Sequence, residues 1–362
     1  MRKVCKLLLL AALPLVHLGA LAQTSDLNEI RRKVQRGEAL APEEKQTLQR
    51  ANAQQREQRR REYLKDHRPQ SYTGIIPLTD LGARAHEGEP GGLYPGGKNV
   101  PPPEHLKAGI ALARRIAPLD PEGRPSLEGR IVLLAIGFSN PNMEFPTFQK
   151  RVAQDAAVNL RLLTINGCVG GQASNVIADP NSNYWKIVDQ RLSEAGSGVK
   201  QVQALWIKLV FPGPSLPFPA ESKKLYADII GTLHTVHGRF PNLKVAYLSS
   251  RTYGGYTEVG GSPEPWAYET GFSVKWAVAD QIAGKPELNY DPAKGAVRAP
   301  WIEWGPYLWT DGVKGRKDGF VFLREDLGED GLHPSEQGRE KIATLMMNFF
   351  KTDPTARPWF LK

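Results

Sequence analysis

Three residues of this 362-residue chain have the types and the setting needed to move an acyl group. Ser139 follows an uninterrupted apolar run, residues 131–137, and far downstream Asp330 stands three residues before His333. A hydroxyl can attack an acyl carbon when an imidazole takes its proton and a carboxylate fixes the orientation of that imidazole. Asp330 and His333 are close enough in the chain to contact one another while the second ring nitrogen faces outward.

The elements around Ser139 can be predicted from the apolar pattern. Residues 131–137 contain no polar side chain, which predicts a strand buried on both faces at the centre of a parallel sheet. Residues 141–152 carry Phe145 and Phe148 at helical spacing. We therefore expect Ser139 at a strand-to-helix turn, at the carboxyl edge of the sheet, where open α/β sheets bind their ligands.

The stretch after His333 predicts the start of another helix. Pro334 restricts the loop, Ser335 is expected to be the N-cap, and an amphipathic run extends to residue 350. The loop that carries Asp330 and His333 should therefore be held at its carboxyl end by a helix.

The two stretches resemble sequence blocks of the SGNH hydrolases, also called GDSL-type esterases. Gly137–Asn140 is similar to the first block, which carries the nucleophilic serine, and Asp330 to His333 is similar to the last block, Asp-x-x-His before the final helix. Residues 166–172 resemble the glycine block that lends a backbone N–H to the oxyanion. The resemblance covers roughly residues 127–350 and implies a hydrolase that needs neither a metal nor an organic cofactor.

The resemblance implies roles for individual residues. Those implied to carry out the reaction are Ser139, His333 and Asp330. Those implied to stabilise the oxyanion are the backbone N–H groups of Ser139, Gly170 and Gly171. We also expect Asn140, beside the nucleophile, to bind substrate.

Two positions depart from the pattern of the family. Phe138 stands where an acidic residue usually precedes the nucleophile, and Trp206-Ile207-Lys208-Leu209 stands where the third block reads Gly-x-Asn-Asp. The missing Asn is an oxyanion donor, and losing one such donor slows catalysis by about 100- to 1,000-fold. Either Lys208 replaces it as a cation near the oxyanion, or the oxyanion is bound by backbone N–H groups alone.

The first residues predict export. Arg2, Lys3 and Lys6 precede a mostly apolar run, and Ala20-Leu21-Ala22 is a small-x-small cleavage site, so residues 1–22 read as a signal peptide. A membrane anchor is the alternative, but the apolar run is shorter than the roughly 20 residues that a span needs. We expect a secreted or periplasmic protein without a membrane span after cleavage.

The rest of the chain divides into three predicted regions by composition. Residues 23–68 form a charged helical arm, expected as two short helices with a turn. Residues 69–126 are rich in Gly and Pro and are expected to wrap on the catalytic domain, because their apolar residues would otherwise be exposed. Residues 127–362 are the predicted hydrolase domain.

The net charge of +9 does not indicate a nucleic-acid partner. Most of the excess positive charge lies in residues 1–22 and 23–68, which leaves the remaining chain almost neutral. A nucleic-acid enzyme normally carries a concentrated basic face on its fold. The expected partner is therefore a small-molecule or polysaccharide ester; the oligomeric state stays open.

Strand-like and helix-like stretches alternate from Leu127 onward, which predicts βαβ units. The predicted strands are Ile131–Gly137, Leu160–Ile165, Val202–Val210, Lys244–Ser249 and one near Trp301–Trp309, and the clearest helix is Glu221–His237. With right-handed crossovers these elements form an α/β fold, a three-layer α/β/α sandwich with a parallel, flavodoxin-like five-stranded sheet.

Further residues are candidates for substrate binding. Arg251 follows the fourth strand, where it could hold a substrate carboxylate or a sugar hydroxyl, although a turn capped by hydroxyls explains the stretch equally well. Trp304 and Trp309 are flanked by Gly, Pro and Asp residues typical of loops and could stack on a sugar, while core packing is the ordinary role of Trp. Cys168 is alone after cleavage, which excludes an internal disulfide.

The sequence thus predicts an exported serine esterase, with O-acetyl groups on carbohydrate as the expected substrate. One alternative is a carbohydrate- or envelope-binding protein on the same fold with weakened catalysis, because the Asn of the third block is missing. Another is a lipid esterase or thioesterase, since a long acyl pocket cannot be recognised from sequence.

Overall fold

The computed structural model describes residues 26–34 and 38–362, so the predicted signal peptide lies outside the described residues. The chain divides into two compact units, one ending at Asp66 and the other spanning His67–Lys362. Within the described residues, no helix has both the length and the apolar character needed to cross a membrane.

The first unit is helical. Helix α1 is described over residues 26–34, and helix α2 spans Pro42–Asp66. An ion pair between Lys33 and Glu44, 2.6 Å long, joins the two helices. Helix α2 has 25 residues and is longer than the short helix expected, because pairs such as Glu57 with Arg61 support a continuous polar helix.

The second unit contains two sheets. The small one is an antiparallel pair, β1 (Ala85–His86) with β2 (Glu89–Pro90). The large one has five parallel strands in the order β4-β3-β5-β6-β7. These strands are β3 (Ile131–Gly137), β4 (Leu162–Asn166), β5 (Val202–Lys208), β6 (Val245–Ser249) and β7 (Trp301–Trp304). The strand order is the flavodoxin-like one, and the predicted fold class is confirmed.

The strands form where the sequence is continuously apolar. All residues of β3, β5 and β6 are buried, as expected for central strands covered on both faces. Strand β7 ends at Trp304, earlier than the predicted strand near Trp301–Trp309. The Gly305 N–H still donates to the Leu248 carbonyl of β6 at 2.8 Å, but Pro306 has no N–H to continue the ladder.

Helices cover both faces of the large sheet. Before the sheet come α3 (Leu78–Leu81) and α4 (Pro103–Ala113); the others are α5 (Ser139–Gln154), α6 (Ser174–Ala178), α7 (Asn183–Glu194), α8 (Ala220–Arg239), α9 (Trp266–Ile282), α10 (Glu336–Thr352) and α11 (Arg357–Phe360). Helix α5 packs on α10, whereas α6 and α9 both pack on α8. Right-handed crossovers place these two groups on opposite faces, which makes three layers.

Residues 67–126 belong to the second unit and are held against the rest of it by specific bonds. Leu78 is fully buried, and the Asp311 carboxylate accepts hydrogen bonds from the backbone N–H groups of Thr73 (2.6 Å) and Gly74 (2.8 Å). The Lys275 ammonium on α9 donates to the carbonyl of Gly91 at 2.6 Å. This Gly- and Pro-rich stretch is therefore an ordered covering and not an extended linker.

Candidate active site

Ser139, His333 and Asp330 form a continuous line of hydrogen bonds. Ser139 Oγ lies 2.9 Å from His333 Nε2, and His333 Nδ1 lies 2.7 Å from Asp330 Oδ2. The other oxygen of Asp330 accepts the backbone N–H groups of Leu332 and His333, both at 3.0 Å. In this geometry His333 can accept the hydroxyl proton of Ser139 while Asp330 holds the ring.

The hydrogen bonds determine the charge of Asp330. Burial alone would raise the pKa of this carboxyl group, but the bonds from the imidazole and the backbone of His333 outweigh burial and lower the pKa to about 2. Asp330 is therefore ionised at neutral pH, and it favours the His333 tautomer that carries its proton on Nδ1.

Ser139 is the first residue of α5 and directly follows β3 and Phe138. A side chain on Gly137 would collide with the carbonyl oxygen of Lys208 on β5, so glycine is needed where the chain leaves the sheet. The Gly137 N–H donates to the Tyr184 hydroxyl at 3.0 Å. These contacts fix the turn that presents Ser139 at the carboxyl edge of the sheet. The N–H groups in the first turn of α5 have no acceptor within the helix and create a positive potential.

The loop that carries His333 is held from three sides. Asn140 Nδ2 donates to the Leu332 carbonyl at 3.0 Å, which joins the start of α5 to this loop. Gly331 has a φ of +63° and packs so closely on the carbonyl of Tyr256 that a Cβ would not fit. Ser335 caps α10 by accepting the N–H of Gly338 at 3.2 Å, which confirms the predicted N-cap.

Asn140 therefore has a structural partner in this state. Asn140 is 1% exposed, and its side chain bonds to the loop that carries Asp330 and His333. A role in substrate binding would therefore require the bond to Leu332 to break. That role stays a prediction.

The predicted glycine block, residues 166–172, lies beside Ser139. A Cβ built on Gly170 would stand 3.9 Å from the Ser139 Cβ, and both Gly170 and Gly171 are exposed. The N–H of Val169 donates to the Gly137 carbonyl at 2.9 Å, and Arg191 Nη1 donates to the Cys168 carbonyl at 2.5 Å. The backbone of the block is thus held against the end of β3, and its role as a source of oxyanion donors stays a prediction.

Lys208 is engaged elsewhere. Its ammonium lies 2.8 and 2.9 Å from the two carboxylate oxygens of Glu144 on α5, and both side chains are fully buried. Burial lowers the pKa of Lys208 to about 8 even though Glu144 acts in the opposite direction. This ion pair joins β5 to α5, the helix that begins at Ser139. The sequence contained a signal for it, because Lys208 ends an apolar strand and Glu144 shares a helix face with Phe145 and Phe148.

The two tryptophans predicted to stack on substrate are in the core. Trp304 ends β7, is 2% exposed and donates its indole N–H to the Leu93 carbonyl at 2.7 Å. Trp309 is fully buried and donates to Glu264 Oε1 at 2.8 Å. The expectation that these rings lie on exposed loop surfaces is therefore wrong, because each indole N–H finds an interior acceptor.

Arg251 is also inside the protein, 1% exposed, in the loop after β6. The carbon at the centre of its guanidinium lies 5.2 Å from the centroid of the Phe138 ring. It lies close to the turn before Ser139, but its guanidinium is not exposed, and its role in substrate binding stays a prediction.

Glu264 was not recognised in the sequence. It is half-buried in the loop before α9, and desolvation raises its pKa to about 7 although Gly254 and Tyr268 donate backbone N–H groups to it. The loop that follows β6 and contains Glu264 also reaches the catalytic loop, since the N–H of Glu258 donates to the Asp330 carbonyl at 3.0 Å. Among residues 26–34 and 38–362, no cluster of three or more His, Cys, Asp or Glu residues has the arrangement of a metal site.

Comparisons with known proteins find likeness among solved structures. No protein-family model and no curated protein matches the chain. The Bacillus subtilis protein YXIM is similar at 10% identity and a TM-score of 0.34, over 61% of this chain and 56% of that one. A gut microbial diltiazem-metabolizing enzyme is similar at 12% identity and a TM-score of 0.34, over 62% of this chain and 47% of that one.

A third similar structure is the periplasmic domain of a lipopolysaccharide acetyltransferase from Salmonella Paratyphi A. It shares 12% identity with a TM-score of 0.35, over 68% of this chain and 95% of that domain. The chain spans about half the length of the first two structures. Likeness at these TM-scores carries no argument about activity, so function must be argued from the geometry of the site.

Proposed function

We propose that the chain is an exported serine esterase of the SGNH hydrolase type. The observation that carries the proposal is the hydrogen bond of 2.9 Å between Ser139 Oγ and His333 Nε2, with Asp330 2.7 Å behind the second ring nitrogen. Three residues separated by up to 194 positions in the chain meet in the order that acyl transfer requires.

The first half of the reaction forms an acyl-enzyme. Ser139 Oγ attacks the ester carbonyl carbon as His333 Nε2 takes the hydroxyl proton, and the C=O electron pair moves onto the carbonyl oxygen. The N–H groups of Ser139 and of Gly170 or Gly171 stabilise that oxyanion. When the tetrahedral intermediate collapses, His333 returns the proton to the departing alkoxide.

The second half releases the acid. A water molecule gives its proton to His333 and attacks the acyl carbon, and Ser139 leaves with that proton. Because the ammonium of Lys208 is bonded to both oxygens of Glu144, the geometry supports an oxyanion site built from backbone N–H groups rather than from Lys208. A hole with fewer side-chain donors predicts modest turnover.

The proposed substrate is an O-acetyl ester on carbohydrate. With Trp304 and Trp309 in the core, this proposal depends on the predicted export and no longer on exposed aromatic rings. A lipid ester or thioester is the competing substrate. The binding protein with weakened catalysis is less well supported, because its catalytic residues would have no reason to stay in hydrogen-bond contact.

Labelling with a fluorophosphonate probe tests the activated serine. We expect Ser139 to be modified in the purified mature protein, and Ser139→Ala and His333→Ala to abolish the reaction. Ser193→Ala, which removes an exposed serine on α7, is the matched control and should label normally. Folded protein that does not react with the probe would favour the binding protein instead.

The length of the acyl chain tests the substrate class. We expect p-nitrophenyl acetate to be hydrolysed faster than the octanoate ester. A preference for the longer chain would contradict the carbohydrate ester and favour a lipid esterase.

A further inference from the structure

Arg251 lies directly against the residue that precedes the nucleophile. It follows β6, and its backbone N–H donates to Thr270 Oγ1 on α9 at 3.2 Å. Its guanidinium carbon is 5.2 Å from the ring centroid of Phe138, the residue that leads into α5 and Ser139. A cation over an aromatic ring at this distance is an attractive contact, strongest where water is excluded.

The guanidinium of Arg251 is buried, and two of its three nitrogen atoms make no hydrogen bond within the described residues. Among the residues that the structure describes, Arg251 Nε and Nη1 have no hydrogen-bond partner, and neither atom is accessible to solvent. Burial of a charge is unfavourable unless other charges compensate. A substrate could reach these two atoms only if the surrounding packing opened. Arg251 is therefore better suited to influence the candidate site through buried contacts than to bind a ligand.

The compensating charges come from three separate elements. Glu144 on α5, Glu264 before α9 and Asp330 before α10 all stabilise the charged guanidinium. Burial is the larger effect and lowers the pKa of Arg251 to about 10, so the group remains charged at neutral pH. The charge of Arg251 in turn lowers the pKa of Lys208 on β5.

Each of these carboxyl groups has its own hydrogen-bond donors. Glu144 is bonded to Lys208, Glu264 accepts the Trp309 indole N–H, and Asp330 accepts from His333. Arg251 therefore interacts with them through space, as a fixed positive charge, and its contact with Phe138 is the one close interaction of its guanidinium that the structure shows within the described residues.

We infer that Arg251 is a positioning residue for the proposed esterase, which holds Ser139 in place through the Phe138 ring and offsets the charge of Asp330 behind His333. This inference rests on the proposed function. During the reaction His333 carries the Ser139 proton beside Asp330. The positive charge of Arg251, which interacts with Asp330, favours the return of that proton to the leaving group.

Two substitutions separate charge from packing. Arg251→Met keeps most of the side-chain volume and removes the charge, whereas Arg251→Lys keeps the charge. The measurement is hydrolysis of p-nitrophenyl acetate from about pH 5 to about pH 9, with kcat and KM determined separately. For Arg251→Met we expect kcat to fall about 10- to 100-fold, KM to change less than about twofold, and the acid limb of the profile to move up by about one pH unit.

Arg251→Lys should keep the wild-type acid limb and recover part of kcat. If both variants lose the same activity and keep the wild-type acid limb, Arg251 is only a packing residue and the inference is overturned. An Arg251→Met protein with wild-type kcat would overturn it as well.

Phe138→Leu tests the same contact from the other side and does not depend on whether Arg251→Met folds. We expect the fluorophosphonate probe to label Ser139 several-fold more slowly in this variant, because the ring that Arg251 holds is gone, while the acid limb stays in place. An unchanged labelling rate would overturn the positioning role. Absence of labelling in the wild-type protein would instead refute the proposed function.

Discussion

Asp330 and Glu303 are carboxyl groups of the same unit whose pKa values are shifted in opposite directions. Asp330 accepts three N–H groups, and its pKa is about 2 because these donors outweigh burial. Glu303 on β7 is 1% exposed, and burial, followed by the charge of Asp353, raises its pKa well above the usual range. It accepts a hydrogen bond from the Thr355 hydroxyl at 2.6 Å, and its second oxygen has no partner among the described residues.

Glu264 shows that donors alone do not decide the charge. It accepts N–H groups from Gly254, Tyr268 and Trp309, yet burial raises its pKa to about 7. The side chain of Asp330 is still 26% exposed, so its donors work against a smaller desolvation penalty. The candidate site at the carboxyl edge of the sheet therefore favours a charged carboxylate, whereas the interior around β7 favours a neutral acid.

The largest expected effect is the loss of the charge on Asp330. Asp330→Asn keeps the size of the side chain but no longer favours the His333 tautomer that accepts the Ser139 proton, so we expect kcat for p-nitrophenyl acetate to fall about 1,000- to 10,000-fold. Asp353→Asn is the same substitution in the Glu303 region and should leave kcat unchanged. An Asp330→Asn protein with nearly wild-type kcat would remove the distinction between the two regions.

The next largest effect should be on stability, at the buried pair beneath the nucleophile helix. Lys208→Met leaves the Glu144 carboxylate buried without its partner, so the free energy of unfolding should fall by about 3–5 kcal/mol in urea titrations. The control is Lys351→Met at the partly exposed pair with Asp155, where we expect a loss below about 1 kcal/mol. Equal losses in the two variants would show that burial does not set the strength of these pairs.

Glu264 predicts a pH dependence of stability near neutrality. The pKa of Glu264 is 4.5 in the unfolded chain and about 7 in the folded protein, so the folded state holds the proton more tightly. The resulting contribution to the free energy of unfolding, about 3 kcal/mol, is complete below pH 4.5 and is lost by about pH 7. Glu264→Gln cannot titrate, and urea unfolding at several pH values should show a smaller decrease across this interval. Asp330 acts in a different window, because its lowered pKa contributes stability that disappears only as the pH falls from 3.8 towards about 2. A Glu264→Gln protein whose stability still falls by the full wild-type amount between pH 4.5 and about pH 7 would mean that another group titrates in that interval.

The smallest effect is expected at Glu303. Burial raises the pKa of Glu303 well above its usual range and so favours the neutral acid, for which glutamine is a close substitute. Glu303→Gln should change the free energy of unfolding at neutral pH by less than about 1 kcal/mol. A large destabilisation would indicate that Glu303 is charged in the folded protein, contrary to the comparison with Asp330.

Local pattern was sufficient for the fold class and for part of the candidate site. The continuously apolar runs predicted the central parallel strands because buried strands need no polar alternation, and the resulting α/β sheet is confirmed. Asp330 and His333 are three residues apart, so their contact follows from spacing within one loop. The cap by Ser335 was predictable for the same reason, since it depends on residues of a single helix end.

Contacts between distant parts of the chain were decided by the tertiary structure. The ion pair of Lys208 with Glu144 joins residues 64 positions apart, and the indole of Trp304 donates to a carbonyl 211 positions away. A flanking Gly or Pro indicates a loop but not whether the loop is covered, which is why the burial of Trp309 was missed. By itself the sequence determined the buried central strands and the candidate reactive groups, because both depend on short-range pattern. Which charges face one another, and hence which carboxyl groups are ionised, was decided only by packing, because the pKa of a buried group depends on every element that surrounds it.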